Sequence, residues 1–103
     1  MSEFQRVASV DDIAPGERIA AIVDDVPVLV LRVGDNYYCI EDVCTHDGQP
    51  LTDGPLEGNE ITCPRHGARF DVTSGAAVCM PAFEAVPTYE VKIEDGAVLV
   101  SVT

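Results

Sequence analysis

The 103-residue chain has no tryptophan, only two histidines, and six basic residues against eighteen acidic ones. Its formal net charge of −12 disfavours nucleic acid and anionic membranes as partners, because their phosphates repel an acidic surface. No apolar run approaches the roughly 18 residues needed to span a bilayer. The start, Met1-Ser2-Glu3-Phe4, lacks the basic-then-apolar layout of a secretory signal. A cytoplasmic, reducing location is therefore expected. Four cysteines in that setting point to metal or catalysis before disulfides. Internal repeats, linkers and low-complexity tracts are also missing, so a single domain over 1–103 is expected.

What is present is 47% hydrophobic residues, in short runs broken by turn residues. That spacing predicts an all-β protein, a sandwich or barrel. Val26 to Val33 is β-branched with apolar residues on both faces, which suits a central strand covered on both sides. Tyr37 to Ile40 follows Gly34-Asp35-Asn36 and predicts its hairpin partner. Near the end, Tyr89, Val91 and Ile93 alternate with Thr88, Glu90 and Lys92, so a buried face alternates with a wet one. Glu94-Asp95-Gly96 then turns the chain, and Val98, Val100 and Val102 complete a hairpin. Ser9-Val10-Asp11-Asp12 offers a cap for one helical turn.

From Glu41 to about Asp71 the alternation weakens. Gly48, Pro50, Gly54, Pro55, Gly58, Pro64 and Gly67 crowd together there. A long irregular stretch in a compact domain is functional or draws order from elsewhere. It holds both histidines and two cysteines, as Cys44-Thr45-His46, sixteen intervening residues, and Cys63-Pro64-Arg65-His66. Two such clips can converge on one metal centre with two sulfur and two nitrogen donors. A structural zinc site also takes two cysteines and two histidines, but its clips usually pair like with like. Mixed clips make sense where two metals are not equivalent. In one kind of [2Fe–2S] centre, one iron takes both cysteines and the other both histidines. The residues favour iron–sulfur and leave zinc as the competing reading.

Cys44-Thr45-His46-Asp47-Gly48-Gln49-Pro50-Leu51 and Cys63-Pro64-Arg65-His66-Gly67-Ala68-Arg69-Phe70-Asp71 resemble the two cluster-binding loops of Rieske proteins. More narrowly, nearly the whole chain is similar to soluble Rieske-type ferredoxins that feed electrons to ring-hydroxylating, non-heme iron oxygenases. The resemblance implies an antiparallel β-sandwich base (1–40 and 73–103) with a small cluster-binding insert (approximately 41–72). It implies one [2Fe–2S] cluster, with Cys44 and Cys63 on a buried iron and His46 and His66 on an outer one. Pro81 would lie in a third loop covering the cluster. The implied partners are a flavin-dependent reductase as donor and an oxygenase as acceptor, both transient, with the chain itself a monomer.

The departures from the family pattern carry information. High-potential Rieske proteins add a cysteine to each loop and join the two. Here Gln49, give or take one position, and Arg65 stand in those places. High-potential members also place a serine and a tyrosine after the second clip, where this chain has Ala68 and Phe70. Neither side chain donates a hydrogen bond. Donors to cluster sulfurs stabilise the reduced state, so a low potential is expected. Cys39, inside a strand, reads as a small buried hydrophobe, and a packing role is also expected for Cys79. Thr45, Asp47 and Thr62 are turn formers first. Arg65 and Arg69 suit solubility or a salt bridge to Asp47 or Asp71.

An electron carrier is the first reading of function. An oxygenase with its own mononuclear iron needs two histidines and a carboxylate. Both histidines are already committed, so that enzyme would need a second chain. The alternative is a Rieske-like small subunit of a nitrite reductase, or a redox-sensing module. Docking is expected at the histidine edge, rimmed by Gln49, Pro50, Leu51, Pro64 and Pro81.

Overall fold

A computed structural model describes residues 3–45, 48–65, 67–80 and 84–102. Among these residues the strands are β1 (Gln5–Ser9), β2 (Arg18–Val23), β3 (Val26–Val33), β4 (Asn36–Glu41), β5 (Leu56–Glu57), β6 (Glu60–Thr62), β7 (Arg69–Asp71), β8 (Ala77–Cys79), β9 (Thr88–Glu94) and β10 (Ala97–Ser101). A 3-10 turn at Val10–Asp12 is the one helical element among the described residues. Its start is held by the Ser9 N–H donating to Asp12 Oδ2 at 2.9 Å.

Two antiparallel sheets result. Six strands form the base in the order β1-β10-β9-β4-β3-β2, and four short ones form a second sheet in the order β5-β6-β7-β8. The β2–β3 hairpin turns through Asp24-Asp25 alone, with Val23 paired to Val26. Both aspartates have positive φ, 50° and 67°. Such a two-residue turn matches the twist of its strands, and Asp tolerates the left-handed region better than most residues. The sheet curls so that its end strands, β1 and β2, also touch. One face of all six strands thereby encloses a single core containing Ala8, Val23, Val28, Val30, Cys39, Val98 and Val100. The all-β, antiparallel base is as expected.

The other face of β3 and β4 is covered by the insert. Leu29, Leu31 and Ile40 join Cys44, Leu51, Ile61, Cys63, Ala68, Phe70, Val72 and Val86 in a second core. Side chains alternate across a strand, so β3 gives Val28 and Val30 to one core and Leu29 and Leu31 to the other. All four are fully buried. Truncating Leu29 to alanine would leave a cavity and cost about 2–5 kcal/mol.

The insert is more regular than its composition suggested. Its second sheet continues past residue 72, because Asp71 turns the chain back. Asp71 Oδ1 accepts from the Thr73 hydroxyl at 2.6 Å and the Thr73 N–H at 2.9 Å. These bonds favour the ionised carboxylate and hold its pKa below the ordinary value. The Gly75 N–H bonds to the Asp71 carbonyl at 2.6 Å, and β8 then pairs with β7. In the final hairpin the expected alternation fades toward the turn, where Ile93 is 45% exposed beyond the core.

Candidate metal centre

Cys44 follows β4, and Cys63 opens the loop that joins β6 to β7. Both side chains are buried in the core shared with β3. The two loops repeat one backbone pattern. The Cys44 N–H donates to the Gln49 carbonyl at 2.7 Å, and the Gly48 N–H to the Cys44 carbonyl at 2.7 Å. Likewise the Cys63 N–H donates to the Ala68 carbonyl at 2.6 Å, and the Gly67 N–H to the Cys63 carbonyl at 3.1 Å. Gly48 and Gly67 sit at φ +75° and +80°, a conformation that other residues take at a cost. Each loop is thus a closed backbone ring whose first residue carries a buried thiol. His46 and His66 lie on these loops, two and three residues after the cysteines, and fall outside the described residues.

The surroundings are apolar. Leu51, Ile61, Ala68 and Phe70 are fully buried in the same core as the two thiols. Leu51 therefore belongs to the core and not to the exposed rim where the sequence reading put it. Its apolar side chain gains more from the pocket between the loops than from water, whereas Gln49, Pro50 and Pro64 are exposed as expected. Pro81 and Asp47 lie outside the described residues. Thr45, between the first cysteine and histidine, donates its hydroxyl to the Glu84 carbonyl at 2.7 Å, tying this loop to the segment that leads into β9.

Cys39 is buried on the opposite face of β4, in the base core, as expected of a small hydrophobe. Burial pushes its thiol up to about 12. Cys79 corrects the packing expectation: it is exposed, because β8 is the outer strand of the second sheet. Arg69 meets Glu60 at 3.9 Å, since β6 and β7 place these side chains diagonally across the pair, while Asp47 lies outside the described residues. The four cysteines form no disulfide with one another.

Two further residues brace the loops without having stood out in the sequence. Asp42, two before the first clip, accepts the Leu51 N–H at Oδ1 (2.7 Å) and the Thr52 hydroxyl at Oδ2. Arg18, on β2, donates from one guanidinium nitrogen to the carbonyls of Thr52, at 3.0 Å, and Gly54. An aspartate before a Gly/Pro-rich loop is a faint turn signal. A contact 34 residues away in sequence leaves none.

The donor set suits a thiophilic metal group. Two buried cysteines on matching loops converge in one apolar core, with a histidine further along each loop. The model of the Rieske [2Fe-2S] domain family matches residues 3–90. The ferredoxin component of the naphthalene 1,2-dioxygenase/salicylate 5-hydroxylase systems of Ralstonia sp. is 39% identical over 92 residues, 89% of this chain and 88% of that one. Among solved structures, the ferredoxin of carbazole 1,9a-dioxygenase from Nocardioides aromaticivorans IC177 matches with a TM-score of 0.92 and 38% identity, over 96% of this chain and 97% of that one. A complex of reduced oxygenase and oxidized ferredoxin in carbazole 1,9a-dioxygenase contains a chain matching at 0.90 and 35%, over 95% and 92%. The putative NADH-dependent nitrite reductase small subunit from Mycobacterium tuberculosis matches at 0.89 over 100% and 97%, but at 19% identity it shares the fold alone.

Proposed function

The chain belongs to the Rieske [2Fe-2S] domain family, and from that premise we propose that it is a one-electron carrier between a flavin-dependent reductase and a non-heme iron oxygenase. A [2Fe–2S] cluster is the cofactor that this membership carries. When bound, it takes up and releases one electron at a time. Cys44 and Cys63 would hold one iron and His46 and His66 the other. The observation that carries the reading is the pair of buried cysteines on two loops closed by the same hydrogen bonds.

The protein's own part is to hold those ligands, exclude water and present a docking face. The buried Leu51, Ala68 and Phe70 keep water from the thiols and offer no side-chain hydroxyl to the sulfurs, which supports a potential at the low end of the Rieske range. No described helix is long and apolar enough to cross a membrane. We place the carrier in the cytoplasm, as a monomer with transient partners.

The relatives named above are ferredoxin components of dioxygenase systems, which favours an oxygenase as acceptor over a nitrite reductase. Two measurements test the proposal. Anaerobically purified protein should contain two irons and two acid-labile sulfides per chain. Product formation by a purified ring-hydroxylating oxygenase with its reductase should require this protein. Stoichiometric zinc without sulfide, or turnover indifferent to the protein, would refute it.

A further inference from the structure

Arg18 pairs with Leu31 across the β2–β3 ladder. Residues opposite one another in a ladder share a face. Arg18 therefore lies on the face of the base that the insert covers, while its neighbour Ile19 packs against the base core. Its guanidinium holds the carbonyl oxygens of Thr52 and Gly54.

The segment 51–54 reaches both cysteine loops. On one side, Leu51 N–H and the Thr52 hydroxyl are bonded to the carboxylate of Asp42, two residues before Cys44. On the other, Gly54 lies so close to Thr62, the residue before Cys63, that a Cβ on Gly54 would overlap the Thr62 carbonyl oxygen. The Thr62 N–H also bonds to the Pro55 carbonyl at 3.0 Å, and the Gly54 N–H to the Leu51 carbonyl at 2.9 Å. Residues 51–55 are thus a strut between the loops. Asp42 fixes one end and Thr62 the other, while Arg18 clamps the middle to the base.

We propose that Arg18 is a positioning residue for the cluster. By gripping the strut it sets the separation of Cys44 and Cys63, although it lies on β2, far from both in sequence. This assignment rests on the cluster reading above. Arginine suits the task because its charge strengthens both bonds and its guanidinium is less strongly hydrated than an ammonium.

Arg32 supplies the control. It makes the same kind of contact, to the carbonyls of Ile13 at 3.1 Å and Gly34 at 2.9 Å, but wholly within the base. Holoprotein is compared for wild type, Arg18→Gln, Arg18→Lys and Arg32→Gln. The readouts are iron release to a chelator in native buffer, the electron paramagnetic resonance spectrum of the reduced protein, and the urea midpoint. Arg18→Gln should release iron about tenfold faster, the scale expected for losing a charge-assisted hydrogen bond, and its spectrum should shift or broaden. Arg18→Lys should fall between it and wild type. Arg32→Gln should lower the urea midpoint and leave release and spectrum unchanged. Release from Arg18→Gln within about twofold of wild type, or equal acceleration by Arg32→Gln, overturns the assignment. If Arg18→Gln does not accumulate folded, Arg18→Lys decides, and wild-type behaviour there overturns it. Wild-type protein without stoichiometric iron and sulfide would fail the cluster reading itself. A normal wild-type cluster with indifferent variants would remove only the role of Arg18.

Discussion

Cys39 and Tyr89 face each other across the β4–β9 pair, the junction between the two halves of the base sheet. Desolvation raises both. The Cys39 thiol is pushed up to about 12, and the Tyr89 phenol also to about 12, helped by its hydrogen bond to Glu41 at 3.0 Å. In the unfolded chain they ionise near their ordinary values of 9.0 and 10.0. Across that window the folded protein binds more protons than the unfolded one, so stability is lost as pH rises. Urea midpoints should be level from about neutral pH to about pH 9 and fall steadily toward about pH 12. Tyr89→Phe should flatten the upper part of the fall and Cys39→Ala the lower part. A wild-type midpoint unchanged to about pH 11 would contradict this.

Replacing Cys44 or Cys63 by alanine should abolish iron and sulfide binding. Metal binding and folding are coupled wherever the ligands sit on loops that the metal orders. The insert should then become sensitive to protease within 41–72 while the β9–β10 hairpin stays protected. Mass spectrometry of limited digests reads this directly. Full iron content in either variant would contradict the ligand assignment.

The potential should respond to one hydroxyl. Ala68 is fully buried in the same core as both cysteines, and its carbonyl already serves the Cys63 N–H. A serine there adds a donor in the same pocket. A net hydrogen bond of about 1 kcal/mol corresponds to about 40 mV for a one-electron couple. Protein-film voltammetry should place the wild type nearer about −150 mV than +300 mV and Ala68→Ser above it by tens of millivolts. A wild-type midpoint well above zero would refute the argument from missing donors.

The charge of −12 should act at long range. Electron-transfer contacts are small, often under about 1,200 Å², so encounter rates lean on electrostatics. Stopped-flow electron transfer with an oxygenase or reductase bearing a basic patch should slow as ionic strength rises. A rate flat or rising with salt would assign recognition to contacts at the exposed Gln49, Pro50 and Pro64 instead.

Much of this was legible in the chain because the signals were local. The two-faced run of β3 and the turn at Asp95-Gly96 are periodicities and dipeptides, readable in a window of ten residues. The two cysteine loops were legible by spacing, and the structure closes both with the same backbone bonds. What escaped was long-range. Leu51 looked like a rim residue because its neighbours Gln49 and Pro50 are exposed, and only the packing of the loops on β3 shows that it is buried. Cys79 looked like a packing residue because nothing nearby in sequence says that β8 is an outer strand. Arg18 and Asp42 act through backbone groups of a segment that their own sequence surroundings do not describe.

β3 also works as a party wall. Its valines belong to the base and its leucines to the insert, so one strand forms part of two rooms. A single-residue insertion or deletion inside it would exchange the tenants, sending leucines into a space shaped for valines and valines into the space beside the cysteines. Length variation in descendants of this chain should therefore collect at the Asp24-Asp25 and Gly34-Asp35 corners. The eight residues between them should keep their number even where their identities drift.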